Sequence, residues 1–302
     1  AVDGTINSVN IGKGANSVSN NTVLGLSALD AAVTGNNNTS IGFSTLTSNT
    51  SGQQNTAVGS LALESNTTAS SNTAFGYQAL KANTTGALNT AVGVNALDAN
   101  TTGTDNVSIG RSTLTTNTTG TQNTAVGGSA LEVNSTASNN TAIGYSALKA
   151  NTTGTANTAV GKGALDANTT ANDNTAIGAN ALGSNTTAIN NTAVGSRALL
   201  STETGGACTA IGHDCLENNT VSNNTAVGSE SMKANTTGQF NVAFGSSALD
   251  ANTTADKNTA IGYNSLGANT TGTLNTAVGT NALDACTTGS SNNAFGTDAL
   301  GA

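Results

Sequence analysis

The stretch Asn72–Leu88, NTAFGYQALKANTTGAL, is followed at once by Asn89–Asp105, NTAVGVNALDANTTGTD, which says nearly the same thing again. Self-similarity at a fixed period is the signature of a repeat architecture, and its period selects the type. Aligning the glycine after TAV, TAI or TAF gives Gly59, Gly76, Gly93, Gly110, Gly127, Gly144, Gly161, Gly178, Gly195 and Gly212. The spacing is 17 residues throughout, short of helical repeats and in the range of single β-solenoid coils. The series extends back to Gly42 and Gly25. After one coil shortened by a residue, it continues through Gly228, Gly245, Gly262, Gly279 and Gly296. The expectation is an all-β parallel solenoid in one domain, 1–302, with atypical opening coils over 1–24 and regular repeats over 25–302.

A consensus coil reads N-T-A-[VIF]-G-x-x-A-L-x-x-N-T-T-G-x-x. Seventeen residues that include Gly and, in most coils, Asn-Thr-Thr leave no room for a stable helix. In the first five positions large and small residues alternate. The Thr position is Val in NVSIG (Val107) and NVAFG (Val242), and from Gly42 onward the fourth is Val, Ile or Phe. Strand side chains alternate between faces, so these two positions are expected to fill the interior. The Ala and Gly positions then form a bare outer face. Gly in a strand marks a close backbone approach or a bend, and the approach expected here is the same face of another subunit. The Leu of each AL pair (Leu80, Leu97, Leu131, Leu148, Leu165) completes the core. Asn recurs before TAVG and before TTG, where ladders of identical residues bond along a stack and Asn tolerates corner turns. About 17 coils at 4.8 Å would stack to roughly 80 Å.

Composition excludes several functions. The 302 residues carry a net charge of −8, no Pro or Trp, 3% aromatics and 8% charged residues, against about 25% charged on average. No basic stripe exists for nucleic acid or for an anionic membrane surface. No apolar run approaches the roughly 20 residues that would cross a bilayer, so no membrane insertion of this segment is expected. The start, AVDGTINSVNIGKG, reads as a mature or excised fragment.

The motifs NSVNIGKG (Asn7–Gly14), NVSIG (Asn106–Gly110) and NVAFG (Asn241–Gly245) resemble the head repeats of YadA-type trimeric autotransporter adhesins. The longer NTAVGxxALxxNTTG unit is similar to arrays in bacteriophage tail-fibre and related surface proteins. The resemblance covers nearly the whole chain. It implies a left-handed parallel β-roll, a homotrimer around a central axis, and a spacer or attachment role outside the cell or on the virion, with a host receptor or glycan as the unidentified partner. Coils here are longer than the usual adhesin-head repeat.

Little in the chain suggests catalysis, and no catalytic, cofactor or metal residue is assigned. One charged column is regular, the residue after AL: Glu64, Lys81, Asp98; Glu132, Lys149, Asp166; Glu217, Lys233, Asp250. A Lys between each Glu and Asp rules out a paired-carboxylate centre and reads as a surface ladder that fixes register. The only histidine, His213, lies in IGHDCL at the variable corner after a coil glycine, expected to be exposed. Cys208 and Cys215 flank it and leave three readings: free small residues, a within-coil disulfide, or a metal site joined by His213 and Asp214. Cys286 replaces a corner Asn. The Asn-Thr-Thr triplets at Asn66, Asn83, Asn100, Asn117, Asn151 and Asn168 fit the N-glycosylation pattern, although a plain turn is the favoured reading. GKGAN (Gly12–Asn16) and GKGAL (Gly161–Leu165) lack the flanks of a phosphate loop.

Three functions follow. The first is a structural fibre or adhesin module. The alternatives are a monomeric surface or filament solenoid and an ice-binding solenoid, the latter disfavoured because a flat ice face wants Thr at i and i+2 on one outward face. The adjacent Thr pair points two ways, and the Thr of NTAVG is expected inside.

Overall fold

The computed structural model describes residues 4–7 and 9–301. Residues 1–3 of the expected opening coils, Ser8 of the NSVNIGKG motif and the terminal Ala302 lie outside the described residues. Packing divides the chain into two compact units, residues 1–155 and 156–302.

The first unit opens with two short strands, β1 (Gly4–Ile6) and β2 (Val9–Gly12), which pair antiparallel. Strand β2 also runs antiparallel to β3 (Thr22–Gly25), with Asn10 opposite Gly25. From β3 onward every pairing within the unit is parallel and in register: Thr56 opposite Thr73, Ala57 opposite Ala74, Val58 opposite Phe75. Each coil contributes one three-residue strand, the last in this unit being Thr141–Ile143. The second unit repeats the scheme from Thr158–Val160 to Asn293–Phe295. Among the described residues there is no α-helix, only a 3-10 turn at Ala15–Ser17. Both units are therefore parallel β-solenoids with coils of about 17 residues. The short coil also keeps register, with Thr209 opposite Thr225.

The phase of the alternation is the reverse of the expectation. In each strand the middle Ala is the buried residue, as with Ala74, Ala91 and Ala142, all fully buried. The flanking Thr and Val, Ile or Phe point outward; Phe75 is 56% exposed and Phe244 58%. The cause is interior width. The AL pair fills the cavity from the opposite wall: Ala79 and Leu80 are fully buried, as is every coil leucine from Leu29 to Leu216. The column opposite them holds small residues: Ser40 and Ser108 replace Ala in two coils, and Val23 in the first parallel strand is the largest residue it takes.

The coil glycines have a different neighbour from the expected one. Their φ angles run from 121° to 157° between Gly25 and Gly296, a region that side chains avoid. A Cβ on Gly127 would stand 2.7 Å from the carbonyl of Gly144, the glycine of the next coil. The backbone that comes close belongs to the same chain. The glycine is both the bend and the contact that lets coils stack.

Corners are turned mainly by other left-handed residues. Gln78, Leu80 and Leu88 have φ of 58°, 52° and 61°, and the same three positions recur along the chain. Asn83, expected at a corner, is fully buried instead.

Candidate functional site

The two Asn columns form the interior polar framework. Asn72 accepts the backbone N–H of Asn89 on its Oδ1 at 2.9 Å and donates its Nδ2 to the Gly86 carbonyl at 2.9 Å. It thereby ties one coil to the next and closes its own coil across the interior. In the second column Asn83 Nδ2 donates to Asn66 Oδ1 and to Gly86 O, both at 2.9 Å. Asn100 Nδ2 donates in turn to Asn83 Oδ1 at 2.8 Å. Buried amides are tolerated because their bonds are made. These are also the Asn-Thr-Thr residues: Asn66, Asn83, Asn100, Asn117, Asn151 and Asn168 are all fully buried. In the folded chain they are ladder rungs and not glycan acceptors.

In the second column two replaced rungs leave an orphaned acceptor behind them. Asn185 Oδ1 and Asn269 Oδ1 are buried without a donor. The next residues in their column are Thr202 and Cys286, neither of which carries an amide. Sequence reading noted Cys286 but overlooked Thr202; the departure from N-T-T at STETGG was the available signal.

The Glu–Lys half of the charged column forms ion pairs, while Asp98 and Asp250 are more buried than an exposed ladder implies. Lys81 Nζ lies 3.9 Å from Glu64 Oε2, Lys149 lies 3.6 Å from Glu132, and Lys233 lies 3.8 Å from Glu217. Partly exposed pairs of this kind contribute about 0–1 kcal/mol. Burial raises the carboxyl of Asp98 above its usual range, opposed by local backbone N–H groups and Lys81. Burial likewise raises Asp250, with the charge of Glu230 adding to it.

His213 is exposed, as expected for its corner. The Cys208–Cys215 disulfide is not formed: both are buried free thiols. They stand in two different interior columns, one in an Asn position and one in the Ala position before Leu. Cys208 Sγ donates to Val221 O at 3.2 Å and Cys215 Sγ to Ala226 O at 3.3 Å. Burial pushes the Cys215 thiol up to about 12 and raises Cys208, so both are poor nucleophiles. His213, Asp214 and Glu230 do come together, but without the cysteines. The Asp214 oxygens are taken by Arg197 and Lys233, which makes this an ion-pair cluster.

The remaining feature is the outer strand face. In the first unit its apolar column runs through Ile41, Val58, Phe75, Val92, Ile109, Val126 and Ile143, half-exposed or exposed, beside a Thr column interrupted by Val107. The second unit carries the same pair of columns as far as Phe295, 70% exposed. No charged residue enters either column. A second outward array follows the buried Asn: Thr102 and Thr104 flank buried Gly103, and Thr119 and Thr121 flank buried Gly120. The chain matches no protein-family model and no curated protein.

Proposed function

We propose that this chain is a structural and adhesive fibre module, working as a homotrimer at a virion or cell surface, as in a phage tail fibre or trimeric adhesin. The outward apolar column carries the reading. A row of exposed Val, Ile and Phe without charge is what a monomer avoids and a partner covers. Covering each half-exposed side chain is worth about 1 kcal/mol. The total grows with coil number, and a long stack outweighs an association cost of about 4–15 kcal/mol. Copies of the same chain present the same spacing, so every level of one column meets an equal level in the others. Attachment then gains from multivalency, since each protomer repeats the same outer residues at the same levels.

Light scattering tests the assembly. The expected mass is three times 29.2 kDa, falling to one chain when Val92→Lys and Val126→Lys are combined, with the β-sheet circular dichroism kept. A monomeric native chain overturns the reading.

A second reading, ice binding, is favoured by one observation: the threonines expected inside, or pointing apart, form outward arrays at Thr73 and its neighbours and at Thr102–Gly103–Thr104. Phe75 and Phe244 interrupt the flatness of the strand face. Thermal hysteresis with ice shaping by the native chain would select this reading instead.

A further inference from the structure

The second unit departs from its own pattern in one place. Thr202 replaces a rung of one Asn column and Cys208 a rung of the other, and the coil from Cys208 to Asn223 is one residue short. Asn185 Oδ1 is left without a donor. Asn219 Nδ2 keeps the own-coil half of its rung, to Val221 O at 2.6 Å, but Thr202 offers it no amide oxygen in the preceding coil. Cys208 still donates its N–H to Asn191 Oδ1 at 2.9 Å and its Sγ to Val221 O at 3.2 Å, but it has no amide oxygen to offer the next coil.

At this level a different interaction bridges the coils. The second position after the coil glycine, neutral in the preceding coils at Gln78, Asn95, Ser112 and Asn180, becomes Arg197, Asp214 and Glu230 in three successive coils. The Asp214 side chain is 1% exposed. It accepts Arg197 Nε at 2.8 Å and a second Arg197 bond on its other oxygen from the coil before. From the coil after, it accepts Lys233 Nζ at 2.9 Å. The other titratable groups of the cluster are His213, 3.4 Å from Asp214, Glu217, 3.6 Å from Arg197, and Glu230, 3.6 Å from Lys233. One buried carboxylate thus spans three coils where the amide ladder fails.

We propose that this ion cluster replaces the missing asparagine bonds, so that in acid the stack opens first at coils 191–240 and exposes the thiols of Cys208 and Cys215. Burial alone would raise the Asp214 carboxyl, but the bonds from Arg197 and Lys233 outweigh it and hold it below its usual range. A carboxylate depressed in the folded state stabilises above its unfolded pKa, about 3.9. That contribution is lost as pH falls through the folded value. Protonation then leaves Arg197 and Lys233 beside a neutral group in a coil that has no complete ladder to fall back on.

The test is hydrogen exchange by mass spectrometry on the full chain, from pH 7 down to about pH 2, below the unfolded carboxylate value, with rates corrected for intrinsic exchange. Thiol labelling with 4,4′-dithiodipyridine, which reacts in acid, runs in parallel on a Cys286→Ser background. Protection of residues 195–233 should fall at least tenfold while residues 56–143 keep theirs, and Cys208 and Cys215 should label faster over the same pH range. Asp214→Asn should bring the same local loss to pH 7. If that variant does not fold, the native titration decides alone. Uniform loss across both segments, or protection of 195–233 that survives to about pH 2, well below the unfolded carboxylate value, overturns the proposal.

Discussion

Thr202→Asn should stabilise the protein, which is unusual for a substitution at a fully buried position. In the native chain Asn185 Oδ1 is buried without a donor, while Thr202 spends its hydroxyl on Asn219 O at 2.7 Å. An asparagine at 202 would donate to Asn185 Oδ1 as Asn83 does to Asn66. Its own Oδ1 would accept from Asn219, whose Nδ2 now has only the own-coil bond to Val221 O among amide-ladder contacts. Relieving one orphaned buried acceptor is worth about 1–3 kcal/mol, and losing the threonine bond costs about 0.5–1.5 kcal/mol. The net gain is about 1 kcal/mol. The mirror experiment is Asn83→Thr, which orphans Asn66 Oδ1 in a regular coil and should cost about 1–3 kcal/mol. Urea unfolding at matched protein concentration reads both, with local hydrogen exchange assigning the change to the altered coil. A neutral Thr202→Asn together with a neutral Asn83→Thr would refute the claim that the amide ladder holds the coils.

Three further outcomes follow from the coil geometry. Gly127→Ala puts a Cβ 2.7 Å from the next coil's carbonyl at a φ of 123°; strain and overpacking together should cost about 4 kcal/mol in urea unfolding. Leu88→Gly, at an exposed corner with φ 61°, should stabilise by about 1 kcal/mol because glycine alone enters that region freely. Asp98→Asn should raise the melting temperature at pH 7, since a carboxyl raised by burial destabilises the fold while charged. The advantage should shrink as pH falls and the native Asp98 protonates, a trend opposite in sign to that of Asp214.

The period, the strand in every coil, the Leu core and both Asn ladders were legible in the sequence because each is a spacing, and spacing survives without coordinates. The phase of the strand was not. Alternation says that Ala74 and Phe75 face opposite ways but not which is inside, and hydrophobicity favours the wrong one when the interior takes small side chains. The glycine partner was misread for the same reason, since a stacked coil and a second subunit leave the same sequence mark. Asn83 looked like a turn residue, yet leucines such as Leu80 hold left-handed conformations that propensity disfavours. The ion cluster was half visible: His213 and Asp214 were noticed, but Arg197 and Lys233 meet Asp214 only through the stacking of three coils.

Interchain cross-linking at neighbouring positions tests the outward face and its self-association together. Ala74→Cys and Phe75→Cys are each made on a background lacking the native cysteines and oxidised mildly. Ser40 and Ser108 already occupy the column of Ala74, so a cysteine fits there. Position 75 should form an interchain disulfide, seen as a dimer on a non-reducing gel, and position 74 should form none. Cross-linking at 74, or at neither position, would contradict the account.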